Sequence, residues 1–215
     1  SFTDNRQDAS LQAGHLNDFV QVGLVRAALC AAVRTAGESG LSHDQVAIAV
    51  EKQLALLQEE YAAQPTDLPK QIEQRLKALR DVLGYRIYVD LRRGWRVNFP
   101  NLEQVGLVRI EYPDLALICS GEKYWQGKHG ALVAASPETR ETICRELLDR
   151  MRRNLTINVD YLNAEYQEGM RQRSSQLLKE PWGLSSDESS NLRQASLAWL
   201  ETTEASRDKG DLRLT

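Results

Sequence analysis

GYRIYVDLRRGWRVNFPNLEQVGLVRIEY, residues 84–112, is the stretch on which the reading of the fold turns. Tyr85, Ile87, Val89 and Leu91 alternate with Arg86, Tyr88 and Asp90, the period-two pattern of a half-buried strand. Arg92, Arg93 and Gly94 interrupt it, and Trp95, Val97 and Phe99 then alternate with Arg96 and Asn98. A glycine between two alternating runs signals a reversal, and Pro100 ends the second run because it has no N–H for a ladder. The expectation is a β-hairpin over 85–99. Its tip carries Arg92, Arg93 and Arg96 beside the indole of Trp95, with Gly84 capping the preceding helix and Gly94 at the turn.

Upstream of the hairpin the chain reads as three helices. Residues 1–10 are polar and read as a tail or linker. From Leu11 to Val33, Leu16, Phe19, Val20, Leu24, Ala27, Ala28 and Ala31 recur at three-to-four spacing. Ser42 and Gln45 form a capping-box pattern ahead of Val46, Val50, Leu54 and Leu57. Pro69 suits the first turn of a third helix, whose apolar stripe is Ile72, Leu76, Leu79 and Leu83. Helix, helix, helix, hairpin is the order of a winged-helix domain. The fold class expected is therefore mostly α with a small β component. A winged-helix-like N-terminal half over 11–126 is followed by a linker at 127–135 and a helical half over 136–215. Within that second half, Ser136-Pro137-Glu138 and Asn163 mark helix starts, and Pro181-Trp182-Gly183 marks a stop. Val108 to Tyr112 and Leu155 to Val159 read as short strands.

The chain has 215 residues and a formal charge of −3, so any pull on nucleic acid comes from a local patch. The N-terminus has no signal-peptide core, no apolar run reaches ~18 residues, and a cytoplasmic location without membrane contact is expected. Both ends read as cuts in a longer chain. Cys30, Cys119 and Cys144 are widely spaced, and with His15, His43 and His129 scattered they match no zinc pattern. Gly121 to His129 resembles a phosphate loop, but five residues separate its glycines and His129 stands where Ser or Thr is required. No catalytic, cofactor or metal residue is assigned.

The basic clusters remain. Arg150, Arg152 and Arg153 complement a helix C-terminus, and Arg171 and Arg173 read as a solvated face. The candidate nucleic-acid-binding set is Arg92, Arg93, Trp95 and Arg96, joined by Lys70, Lys77 and Arg80 of the preceding helix. Arginines pair with phosphate and an exposed indole stacks on a base. The competing reading has Trp95 packing inward with Val97 and Phe99.

Three stretches carry a resemblance: YRIYVDLRRGWRVNFPNLEQVGLVRIEY, SPETRETICRELLDRMRRNLTINVDYLNAEYQ and RQRSSQLLKEPWGL. Over roughly residues 40–185 the chain resembles a segment of large bacterial DEAD/DEAH-box (superfamily 2) helicases that follows the two RecA-like motor domains. The phosphate loop, DExx box and arginine finger of that family are absent here, as are its zinc cysteines, so no catalytic residue carries over. The resemblance implies an accessory domain of an ATP-dependent helicase that binds or guides nucleic acid, with DNA preferred, and braces motor domains of the same parent chain. Two other readings stand beside it: a free-standing winged-helix transcriptional regulator with a helical dimerisation or effector domain, and a purely structural protein-interaction module.

Overall fold

A computed structural model of the chain describes the backbone of residues 2–93 and 100–194, and the side chains of residues 19–92 and 100–194. Nine α-helices are present among the described residues: α1 (Phe2–Ala36), α2 (Val46–Leu54), α3 (Gln58–Tyr61), α4 (Pro69–Arg93), α5 (Leu115–Ser120), α6 (Gly130–Ala134), α7 (Pro137–Arg153), α8 (Ala164–Leu177) and α9 (Ser186–Ser190). Short 3-10 turns lie at Gly37–Ser39, Glu122–Tyr124 and Asp160–Leu162. The described residues hold no sheet; the single β-bridge joins Ala62 to Leu178. They divide into two units, one built from residues up to Val108 and from Asn158 onward, the other from Arg109–Ile157.

The expected winged-helix fold is overturned at its centre. Tyr85 to Leu91 is not a strand but the continuation of α4, which runs 25 residues from Pro69 to Arg93. The physical reason is that α4 is buried on more than one side. Ala78, Leu79, Val82, Leu83, Tyr85 and Ile87 are all buried, and a helix enclosed in this way loses its one-sided apolar stripe. The alternation of residues 85–91 arises from two buried faces. Val89 and Asp90 line a cleft with α1, while Gly84 and Tyr88 meet the ring of Tyr161. Strand propensity in Tyr, Ile and Val is a weak preference that packing overrides. The second half of the expected hairpin, with Gly94, Trp95 and Arg96, lies outside the described residues. Val108 to Tyr112 and Leu155 to Val159 are irregular chain, not strands.

In the first unit α2 and α8 pack on α4, and α1 packs on α2. The buried stripe of α1 is Gln21, Val25, Ala28, Leu29 and Ala32, while Phe19, Val20 and Leu24 are exposed. The helix is thus rotated relative to the stripe expected from spacing. Arg26 of α1 makes a two-pronged pair with Asp90 of α4, Nη2 to Oδ1 at 2.8 Å and Nε to Oδ2 at 3.0 Å. Arg86 of α4 holds the connection after α8: it pairs with Glu188 at 2.7 and 2.9 Å and donates to the carbonyls of Pro181, Trp182 and Gly183.

Several starts follow the sequence signals. Pro69 opens α4. Ser136 caps α7, accepting from the Thr139 N–H, with Pro137 at the first position. Asn163 caps α8 through the N–H groups of Glu165 and Tyr166. Ser42, by contrast, donates to Asp44 and caps nothing, and α2 starts at Val46.

In the second unit Leu115, Cys119 and Trp125 form the core, with Tyr112, Leu132, Cys144 and Leu148 packed against it. Its centre is Arg140 of α7, only 1% exposed. All five guanidinium N–H groups have acceptors: the carbonyls of Leu132, Val133 and Cys119, and both carboxylate oxygens of Glu122. The guanidinium carbon lies 5.1 Å from the Trp125 ring centre. Residues 127–135, where a linker was expected, lie within this unit and contain α6.

Candidate nucleic-acid interface

Four of the seven candidate residues have described side chains, all on α4. Lys70 is exposed in the first turn. Lys77, about seven residues on and so on the same face, donates to the Asp81 carboxylate at 3.3 Å and to the Tyr166 hydroxyl at 3.2 Å. Arg80 is bound twice, to Glu51 of α2 at 3.1 Å and to Glu73 of its own helix at 3.0 Å. Arg92 is half-buried near the end of α4. Arg93 is the last residue of that helix, and Trp95 and Arg96 lie outside the described residues. Lys77 and Arg80 therefore spend their charge on carboxylates within the fold. Lys70 and Arg92 are 22 residues apart on one helix, roughly 33 Å at 1.5 Å per residue, so no single patch gathers the set.

What fixes the end of α4 is the motif that follows it. Asn101, 1% exposed, donates its side-chain amide to the carbonyls of Leu91 at 3.0 Å and Asp90 at 3.3 Å. These belong to the last turn, where helix carbonyls lack intrahelical partners. The same side chain accepts from Gln104 N–H at 2.9 Å, and the Gln104 side-chain oxygen in turn accepts from Asn101 N–H at 2.8 Å. Leu102 is buried behind this reciprocal pair. The chain leaves α4 at Arg93 and returns at Pro100–Asn101, so both anchors sit at one helix end.

Sequence reasoning missed the polar centre of the first unit. Asp81 of α4, 3% exposed, accepts from Tyr166 Oη at 2.7 Å and from Arg173 of α8 at 2.7 and 3.2 Å, besides Lys77. Tyr166 and Tyr161 meet edge to face, with centroids 6.0 Å apart. Burial pushes the Tyr161 hydroxyl up to about 12, and burial with the Asp81 bond raises that of Tyr166. The signal that was available is an aspartate between Leu79 and Leu83 in an apolar segment, since a buried carboxylate demands cationic partners.

Among the described residues no group of three or more His, Cys, Asp and Glu side chains could hold a metal ion. The near phosphate loop at 121–129 begins not after a strand but at the end of α5, and its Glu122 is the exposed partner of Arg140. A cavity of about 680 Å³ lies between α1, α4 and residues 180–193, with both of its ion pairs, Arg26–Asp90 and Arg86–Glu188, closed on themselves. The segment Phe19–Ser39 is long and apolar enough, at mean hydropathy 1.4, to cross a membrane by composition. Its Val25, Ala28, Leu29 and Ala32 are nonetheless buried, and Arg26 within it is paired.

Comparison with protein-family models, with curated proteins and with solved structures returns no match.

Proposed function

We propose that this chain is a non-catalytic accessory segment of an ATP-dependent helicase, which braces the motor domains and guides nucleic acid past the end of α4. The observation that carries the reading is the Asn101 clamp. Pro100-Asn101-Leu102-Glu103-Gln104, within the first of the three stretches that carry the helicase resemblance, closes the chain onto the Asp90 and Leu91 carbonyls. It holds both ends of the Arg- and Trp-bearing segment at one place. The contact set proposed is Arg92, Arg93, Trp95 and Arg96, with Lys70 a separate point of charge. A cytoplasmic location and DNA as the preferred nucleic acid belong to the same proposal.

The protein-interaction reading draws support from the second unit, where Leu117 is 68%, Leu147 56% and Ile143 46% exposed. Exposed apolar side chains of this size suit a surface that meets another domain, which is what bracing a motor requires. The free-standing winged-helix regulator has lost its wing strand to α4.

The test is anisotropy with labelled single- and double-stranded oligonucleotides over a salt series. Salt-dependent binding that weakens in Arg92→Ala/Arg93→Ala supports guidance of nucleic acid; its absence leaves bracing alone. ATP hydrolysis by the purified chain above a contaminant control would contradict the non-catalytic reading.

A further inference from the structure

Two of the three thiols, far apart in sequence, meet in the core of the second unit. Cys119 of α5 is fully buried, and Cys144 of α7 is half-buried and packs against the Leu115–Cys119–Trp125 cluster. α5 and α7 pack directly on one another, so both thiols belong to one core. Both helices are fixed from outside this contact. Arg140, one turn before Cys144, donates to the Cys119 carbonyl at 3.3 Å and to Glu122 just beyond α5. The pair is therefore held together by the fold and does not depend on a chance encounter. The third thiol, Cys30, is on α1 in the first unit.

We propose that Cys119 and Cys144 form a reversible disulfide driven by a hydroperoxide, tying α5 to α7. The half-buried Cys144 is the sulfur a peroxide can reach. Its thiolate attacks the distal peroxide oxygen, the O–O bond breaks, and the leaving alkoxide or hydroxide takes a proton, giving Cys144 sulfenic acid. The Cys119 sulfur then attacks the Cys144 sulfur. An S–S bond forms, the S–O bond breaks, and the hydroxide departs with the Cys119 proton as water. Two thiols lose two electrons and one peroxide gains them. Burial pushes the Cys119 thiol up, so it is a poor first nucleophile, and this divides the roles: Cys144 reacts first and Cys119 resolves.

The test treats the full chain with hydrogen peroxide, counts thiols after denaturation, and maps peptides without reduction. The expected result is a fall from three free thiols to one, a Cys119–Cys144 linked peptide, and recovery of all three with dithiothreitol. Cys144→Ser is expected to keep both of its remaining thiols under the same treatment. Three thiols surviving peroxide in the wild type, or a linkage that includes Cys30 or a second chain, overturns the proposal. The peptide map needs only the wild type, so the test stands even if Cys144→Ser fails to fold.

Discussion

The ring of Tyr161 lies directly over the backbone of Gly84, so close that a Cβ at position 84 would fall 2.6 Å from Cε2 and 2.7 Å from Cε1. Gly84 neither ends a helix nor adopts a left-handed conformation. It sits inside α4 because nothing larger fits beneath that ring. On an open helix Gly→Ala stabilises by about 1 kcal/mol. Here the sign is expected to reverse, with Gly84→Ala losing about 1–3 kcal/mol through overpacking and Gly84→Val losing more. Urea unfolding of both variants checks this. The double variant Gly84→Ala/Tyr161→Ala should recover part of the loss relative to the sum of the singles. A Gly84→Ala protein more stable than wild type would show that the ring moves aside freely.

Arg140 and Glu122 are unequal partners, and their variants should behave unequally. Arg140 is buried and serves the Leu132, Val133 and Cys119 carbonyls as well as the carboxylate. Arg140→Leu leaves those carbonyls without donors and is expected to cost about 3–5 kcal/mol, the range for breaking a buried pair. Arg140→Lys recovers little, because an ammonium cannot span the fork. Glu122 is 66% exposed; Glu122→Gln keeps an acceptor for Arg140 but removes the charge that answers it, and is expected to lower the unfolding midpoint by less than Arg140→Leu does. Near-ultraviolet circular dichroism, which reports on Trp125 in the same core, is the matching local readout.

Alkaline pH should unfold the first unit through its tyrosines. Burial raises the Tyr161 hydroxyl from 10.0 to about 12, so the folded state keeps a proton that the unfolded chain releases. Above pH 10 the unfolded state binds fewer protons than the native state, and stability falls as pH rises. This contribution is fully present below pH 10 and is lost between pH 10 and about 12. Tyr161→Phe removes the titrating group while keeping the ring on Gly84. The expected result is a shallower fall of the urea midpoint from pH 9.5 to 11.5 than in wild type, on the order of one fewer proton released. Identical slopes would place the alkaline loss elsewhere, with Tyr166 next in line.

How much of this was legible in the sequence depended on the range of the interactions. Ser136, Asn163 and Pro69 announced helix starts because a cap is a contact within three residues. The stripe on α1 and the conformation of Tyr85 to Leu91 were not legible, because both depend on what surrounds the helix. A strand with one buried face and a helix with two can display the same alternation over seven residues. Asp81 and Arg140 were hidden for a related reason. A charge in an apolar segment shows that a partner exists, but Arg173 lies 92 residues from Asp81. Of the candidate interface, the sequence located the charge and could not tell that Lys77 and Arg80 answer carboxylates of their own fold.

That distinction governs the nucleic-acid prediction. A lysine or arginine contributes to the salt dependence of binding only if it releases counterions from phosphate, about 0.9 in the slope of log K per contact on duplex and about 0.7 on a single strand. Arg80 is held by Glu51 and Glu73, and Lys77 by Asp81 and Tyr166, so drawing either to a phosphate would first break bonds inside the protein. Arg80→Ala is accordingly expected to lower stability and leave the slope unchanged. Arg92→Ala/Arg93→Ala should reduce the slope by about 1.8 on duplex if both arginines touch phosphate. Trp95→Ala should weaken single-strand binding by about 1–3 kcal/mol if the indole stacks on one base, with the slope preserved because no charge is lost. Asn101→Ala separates a direct contact from a positioning effect. It removes no charge, yet it frees the Asp90 and Leu91 carbonyls and loosens the return of the chain to α4. Weaker binding at an unchanged slope in Asn101→Ala would mark the clamp as what presents the arginines. If instead Arg80→Ala flattens the slope and Arg92→Ala/Arg93→Ala does not, the contact surface runs along α4 and the clamp is structural only.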